Sequence, residues 1–398
     1  MDITDIKHEA LELNEEMTKW RRFFHRHPET GFQLPRTKEF LQEKLTELGL
    51  NITGNYAESG LAAVVKGELR AENKRTLAIR ADMDALNLQE ETDKEYVSQE
   101  SGKMHACGHD AHMAMALGAA KILQQNRDQF AGRVKFIFQP AEEIGQGAEA
   151  MLAEGVFQEE PVPDAVLGCH IGSLWSLPSG KVGYRKGPLM AAADMIEIKI
   201  KGKGGHGAVP HTAVDAIVTG AEVVSALQKI VSRKISPLDS VVISIGEFNA
   251  GSAFNIIAEE AHISGTVRTL NEDIRKRLPE MIEDVLEGVC LEMGADYELE
   301  YTYGPPVLEN DSDFTEFFVE LATEMLGEEN VVEIPNPTMG GEDMAYFLQQ
   351  VPGTFFGVGS MNLEKETDYP HHNPKFDIDE EVLWIGSALF VATALNWL

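Results

Sequence analysis

The chain has 398 residues, of which 43% are hydrophobic and 25% charged, and 34 Lys and Arg against 65 Asp and Glu leave a formal net charge of −31. It is long enough for a sizeable core, too apolar for a disordered chain, and too acidic to favour a nucleic-acid backbone or an anionic membrane surface. Three cysteines do not make a disulfide framework, and the N-terminal stretch is polar with no apolar signal core, so a reducing, cytoplasmic setting is expected.

Helical periodicity runs from about Ile6 to His25 and from Thr37 to Leu48. Strand-like segments beginning at Gly60, Thr76, Arg133 and Ala165 then alternate with helices beginning at Ala111 and Gly147. The central strands are nearly continuous apolar runs, the pattern of a sheet covered on both faces. To about residue 186 the chain therefore reads as α/β. From Met195 the order becomes strand, helix, strand, strand, one long helix from Glu272 to Gly294, and strand. That β-α-β-β-α-β order is the signature of a ferredoxin-like sandwich. NVVEIP, GTFFGVGS and a terminal helix from Glu380 then return to the α/β pattern. The expected organisation is an α/β catalytic domain with a central mixed sheet, residues 1–186 and 301–398, interrupted by a ferredoxin-like domain over 187–300. The apolar C-terminal stretch is broken by Gly386, Ser387 and Asn396 and reads as a buried helix rather than a membrane span.

Four places in this frame can carry chemistry. HACGHDAH holds three His and one Cys in eight residues. Cys107 and His109, two apart before a helix, form a half-site for a borderline-soft divalent cation. QPAEE ends a strand with Glu142 and Glu143. On an extended segment their side chains point in opposite directions, so one can bind a metal while the other faces substrate as a general base. His170 closes the apolar strand AVLGCHI. Asp82 and Asp84, two apart in RADMDAL, suit orientation of a metal-bound imidazole. Cys107, Glu143 and His170 all fall at or just after expected strand ends, where α/β sheets place their ligand sites. Downstream, HHNPKFD offers His371 and His372, and GKGGHGAVPH sets His206 in a glycine-rich loop with no GK[ST] phosphate signature.

RADMDAL, HACGHDAH, QPAEE, CHI, GGHGAVPH, GTVRT, GGEDMAYFL and HHNPKFD occur in one order along nearly the whole chain. In that order they resemble the amidohydrolases of the aminoacylase and zinc-carboxypeptidase superfamily. This group includes N-acyl-amino-acid amidohydrolases, hippurate hydrolases, indole-3-acetyl-amino-acid hydrolases and N-acetyl-diaminopimelate deacetylases. The resemblance implies two divalent metal ions (Zn, Mn, Co or Ni) on Cys107, His109, Glu143, His170 and His372, the last chosen over His371 because Asn and Pro follow it. It implies Glu142 as general acid/base and Asp84, more than Asp82, as the acid that orients the metal site. It implies that His206 of the inserted domain reaches the active site of the partner subunit in a homodimer formed through that domain, which acts as a lid. Asn255 and Arg268 match positions that hold the substrate's carboxylate or carbonyl. Asn87 departs from the Pro that many relatives carry. The implied substrate is a small N-acyl-L-amino acid, with N-acetyl-diaminopimelate deacetylation or small-peptide hydrolysis on the same site as alternatives. Two other classes stay open on the residues themselves: a Cys107–His109 nucleophilic pair, and a non-catalytic metal or peptide binder.

Overall fold

A computed structural model describes residues 1–71 and 74–398. They divide into two compact units: Met1–Gly187 with Glu309–Asn336 and Asp343–Leu398, and Pro188–Leu308 with Pro337–Glu342. The second unit thus runs past the expected boundary at 300 and takes in a short downstream segment. Its last sheet strand, Asp296–Thr302, straddles that boundary.

The first unit opens with α1 (Ile3–Arg26), whose N-terminus is closed by a reciprocal capping box between Asp2 and Asp5. Ile6, Ala10, Leu13, Met17, Trp20 and Phe24 recur at helical spacing and are all buried. Arg21 and His25 are buried as well. After α2 (Pro35–Glu47), β1 (Asn51–Tyr56), β2 (Gly60–Lys66) and β3 (Thr76–Asp82) comes α3 (His109–Gln125). This helix is apolar almost all round, as a core helix must be. It packs on α1 and on the terminal helix Leu383–Trp397. A Cβ at Gly118 would lie 2.4 Å from Met17 Sδ, so the close approach of α1 to α3 requires glycine there.

Next follow β4 (Arg133–Gln139), α4 (Gly147–Ala153), β5 (Ala165–Gly172) and β6 (Val182–Tyr184). The sheet has eight strands in the order β1, β2, β4, β3, β5, Gly353–Gly359, β6 and Val331–Glu333. It is mixed: β3 runs parallel to β4 and β5, and β5 parallel to Gly353–Gly359, while β1–β2 and β2–β4 are antiparallel. β3 is buried along its whole length, in keeping with its apolar run. Asp82 pairs in register with Gln139, and His170 with Gly357. The chemistry-bearing C-terminal ends of β3, β4 and β5 therefore lie together at one end of the sheet's strands.

The second unit holds a four-stranded antiparallel sheet in the order Val241–Ala250, Glu260–Thr269, Ala192–Lys201, Asp296–Thr302. Ile196, Ile198 and Ile200 point to the buried face and pack with Val223 and Leu227 of the helix Ala216–Lys229 and with Ile282 and Leu286 of the helix Leu278–Met293. The order is the β-α-β-β-α-β order read from the pattern. The single helix expected from Glu272 is instead two, Glu272–Arg275 and Leu278–Met293. Pro279 has no N–H for the Arg275 carbonyl, and the Arg275 guanidinium is drawn onto Asp194 through Nε (3.0 and 3.1 Å) and Nη2 (2.6 Å). Among the described residues, no helix is long and apolar enough to cross a membrane.

Candidate metal centre

Five segments of the first unit, around Asp84, Cys107–His109, Glu142–Glu143, His170 and His371–His372, build the site beside the C-terminal ends of β3, β4 and β5. Gly108, left-handed at φ 92°, turns the chain into α3 so that His109 is the first helical residue and Cys107 precedes it. His109 is fully buried, and its Nδ1 donates to the Asp84 carbonyl at 2.8 Å. That bond fixes the tautomer and presents Nε2 to the site. Nε2 lies 3.5 Å from Asp82 Oδ2, 3.8 Å from Glu142 Oε2 and 3.9 Å from Glu143 Oε1. Cys107 Sγ is 3.5 Å from His170 Nε2 and 3.5 Å from His371 Nδ1. His372 Nε2 is 3.4 Å from Glu143 Oε2.

The expected opposition of Glu142 and Glu143 is corrected. β4 ends at Gln139, and Ala141 takes a left-handed conformation at φ 58°, so strand alternation no longer governs these side chains. Both carboxylates lie within 4 Å of the same imidazole nitrogen. Asp84 holds that turn: its carboxylate accepts the backbone N–H of Glu142 at 2.9 Å and of Glu143 at 3.2 Å. It thus acts on His109 through its main-chain carbonyl and on the glutamates through its side chain.

The imidazole that Asp82 meets most closely is that of His112. Asp82 binds His112 Nδ1 at 2.5 Å, and His112 Nε2 accepts the Ile171 N–H at 2.9 Å, next to His170. Arg80 donates to Asp82 at 2.8 Å and to Asp343 at 2.8 Å, and Asp343 also receives Gln139 and the N–H of Ala148. His112, Arg80 and Asp343 were not singled out from the sequence. His112 stood in plain view in HACGHDAH, but Asp343 is brought in from 263 residues beyond Arg80.

The two histidines of HHNPKFD part company. His371 is tucked in, its Nε2 accepting the Ser173 N–H at 3.1 Å, and burial with His372 nearby pulls its imidazole down to about 3. His372 takes φ 62° and is the more exposed. Its N–H donates to the Ala106 carbonyl at 2.8 Å, tying this loop to the Cys107 segment.

Two buried polar atoms, His109 Nε2 and Glu143 Oε1, have no hydrogen-bond partner among the described residues. Such orphans are costly unless something polar meets them. Burial pushes the Glu143 carboxyl up to about 7, and burial with Glu143 beside it pushes the Cys107 thiol well up. Burial lowers His109, but Asp82 and Cys107 outweigh it and hold the imidazole well above its ordinary value. A thiol, imidazoles and a carboxylate so converged suit a divalent cation, which replaces the bound protons with its own charge. Cys107, His109 and His170 form one group with potential donors within 4.8 Å of one another, and Cys107, Glu143 and His372 form another.

His206, Asn255 and Arg268 belong to the second unit. His206 is exposed, pairs through its backbone with Ile256, and accepts the Ala208 N–H on Nδ1 at 3.1 Å. The Asn255 carbonyl accepts the Gly207 N–H at 2.9 Å, so the His206 and Asn255 segments lie side by side at the end of a two-stranded pairing. Arg268 is half-buried, with Nε on Thr266 Oγ1 at 2.8 Å and no ion pair among the described residues.

Residues 78–396 match the model of peptidase family M20/M25/M40. The chain belongs to that family. It is similar to the N-acyl-L-amino acid amidohydrolase of Geobacillus stearothermophilus, 44% identical over 310 residues, 77% of this chain and 81% of that protein. It is 39% identical over 376 residues to the N-acetylcysteine deacetylase of Bacillus subtilis, covering 94% of this chain and 95% of that one. The YXEP protein of Bacillus subtilis, a solved dinuclear metal-binding peptidase of the M20 family, superposes with a TM-score of 0.83 at 34% identity over 97% of this chain and 99% of that one. The M20 chain described here is a metal-dependent hydrolase acting on amide bonds.

Proposed function

We propose that this enzyme hydrolyses the amide bond of N-acyl-L-amino acids with acetyl, benzoyl or similar acyl groups. The observation that carries the reading is the placement of the Glu142 carboxylate 3.8 Å from His109 Nε2, beside the donor groups Cys107–His109–His170 and Cys107–Glu143–His372, which form without it. The Geobacillus and Bacillus relatives are named for an N-acyl amino acid and for N-acetylcysteine, which supports the substrate class. Cys107, His109, Glu143, His170 and His372 would hold two divalent ions, the two groups sharing Cys107. The thiol favours zinc, while the imidazoles and carboxylate also accept manganese, cobalt or nickel. When bound, such ions lower the pKa of water and polarise a carbonyl.

Glu142 takes the proton from the attacking water as its oxygen bonds to the amide carbon. It returns that proton to the leaving nitrogen as the C–N bond breaks, giving a carboxylic acid and a free amino acid. His206 accepts a backbone N–H on Nδ1, so its neutral ring carries the proton on Nε2 and can donate to the developing oxyanion. Arg268, without an ion pair, takes the amino acid's carboxylate in a planar two-point bond, and Asn255 holds a substrate oxygen. In this reading the second unit acts as a lid, and His206 serves the site of a second copy. The exposed Phe254 and Ile256 beside Asn255 support an apolar contact at that segment.

The deciding assay strips the protein with EDTA, restores Mn²⁺, Co²⁺ or Zn²⁺, and offers N-acetyl-methionine, hippurate, N-acetyl-diaminopimelate and a free-amine dipeptide. Turnover of the N-acyl amino acids, abolished by EDTA, is expected. Turnover of the dipeptide alone would move the assignment to a peptidase. Activity that survives EDTA but dies with iodoacetamide would restore the cysteine nucleophile.

A further inference from the structure

Arg21 sits on α1, outside the metal cluster, yet its side chain is fully buried and reaches carboxylates on two segments that carry proposed ligands. Nε donates to Asp110 Oδ2 at 2.7 Å, Nη2 to Asp377 Oδ1 at 2.9 Å, and Nη1 to Glu380 Oε1 at 3.2 Å. Asp110 follows His109 in the first turn of α3. Asp377 and Glu380 follow His371 and His372 in the C-terminal segment. Three further contacts brace the arrangement. His25 Nδ1 meets Asp110 Oδ2 at 2.7 Å, His25 Nε2 meets Glu90 at 3.3 Å, and Tyr96 donates its hydroxyl to Asp377 Oδ2 at 2.8 Å while lying under the guanidinium.

We infer that Arg21 is a positioning residue for the metal centre, joining the Cys107–His109 segment to the His371–His372 segment through Asp110 and Asp377. The inference rests on the metal-dependent reading of the site. A guanidinium is a rigid planar fork, so its bonds fix direction as well as distance. Without it, two buried carboxylates that now share one cation lose their common counter-charge, and like charges in a buried place repel. Each carboxylate is tied by a few backbone bonds to its ligand segment, so their separation displaces Cys107 and His109 relative to His372. Arg21 bonds none of the proposed ligands, and the contacts that tie it to their segments are those to Asp110, Asp377 and Glu380.

The full-length chain, stripped with chelator, is titrated with Co²⁺ while the thiolate-to-cobalt absorption is followed, and its thermal midpoint is recorded in parallel. Arg21→Lys keeps the charge and loses the fork, and Tyr96→Phe loosens Asp377 by one hydroxyl. Thr315→Val breaks a buried hydroxyl pair with Thr354 and serves as a stability control outside the network. Arg21→Lys is expected to weaken Co²⁺ binding about tenfold or more and to alter the thiolate band, with Tyr96→Phe moving the same way by less. Thr315→Val is expected to lower the midpoint and leave Co²⁺ affinity unchanged. Arg21→Lys and Tyr96→Phe proteins that lose midpoint but bind Co²⁺ with wild-type affinity and spectrum would show that Arg21 only stabilises the fold. A wild-type chain with no thiolate-to-cobalt band would overturn the metal reading and this inference with it.

Discussion

The carboxylate of Asp84 accepts the backbone N–H of Glu142 at 2.9 Å, so the aim of the proposed base is set by a residue 58 positions before it in the chain. Asp84 also takes the N–H of Glu143 and offers its carbonyl to His109. One residue therefore orients the proposed base and two proposed ligands. Asp84→Ala is expected to lower kcat by about 100-fold, the scale of a displacement near 1 Å at a reacting group. Asp84→Asn, which keeps one acceptor oxygen, should lose less. Steady-state kinetics with matched metal content check this, and equal kcat for all three proteins would remove Asp84 from its role.

Glu142 and Glu143 are neighbours with opposed assignments, which makes them separable by experiment. Glu142→Gln should retain the metal and lose kcat by about 10²–10⁴-fold, the usual range for a positioned proton-transfer group. Glu143→Gln should lose metal first. Metal analysis after dialysis, set beside the rate, distinguishes the two, and a Glu142→Gln enzyme of near-normal kcat would falsify the assignment of the base.

Arg268→Ala should raise KM for N-acetyl-methionine by about 30-fold, equivalent to about 2 kcal/mol for a lost charge-assisted pair, with a smaller change in kcat. The methyl ester of the same substrate has no carboxylate to lose, so the variant and wild type should treat it alike. An equal penalty on acid and ester would mean that Arg268 serves the fold rather than the substrate.

The Arg21 network also sets a pH limit. Burial alone would raise the carboxyls of Asp110 and Asp377, but Arg21 and its neighbours outweigh it and hold both below their ordinary value. Their contribution to stability is therefore fully present above the free-Asp value of about 3.9 and is lost as pH falls through the depressed folded values. Asp377→Asn should cost about 3 kcal/mol at pH 7, the scale of a broken buried pair. It should also show a shallower loss of thermal midpoint between about pH 5 and pH 2 than wild type. Parallel acid profiles would place the acid-sensitive groups elsewhere.

The convergence of Cys107, His109, Glu143 and His170 was legible in their motifs, and the ferredoxin-like order of the second unit in its apolar periodicity. Strand position located Glu143 and His170, whereas Cys107 and His109 sit at the start of α3 rather than at a strand end. The aim of Glu142 and Glu143 could not be read, because Ala141 turns the chain out of the strand before either residue is reached. The partner of Asp82 was hidden for another reason: His112 lies on the same motif as His109, and only the packed turn shows which imidazole meets which carboxylate. The helix Ser312–Leu326 is missing from the elements read off the sequence, although its signals are present. Asp311 caps it, and Phe314, Phe318, Leu321, Ala322 and Met325 recur on one buried side. The edge strand β1 gave no such sign, since its residues are mostly polar and half-exposed.

The sheet order carries a kinetic consequence. β5, which carries His170 near its end, has the strand Gly353–Gly359 as its parallel neighbour, and the whole of the second unit is made before that neighbour appears. During synthesis the central sheet must wait for a partner about 190 residues downstream, while the inserted unit, nearly contiguous in sequence, can form by itself. Closure of the long loop around the insert is then the late event in assembly. Until it occurs, the Cys107 and His170 segments stand beside an open sheet edge, and this is the stage at which the nascent enzyme is most exposed to aggregation and to capture by chaperones.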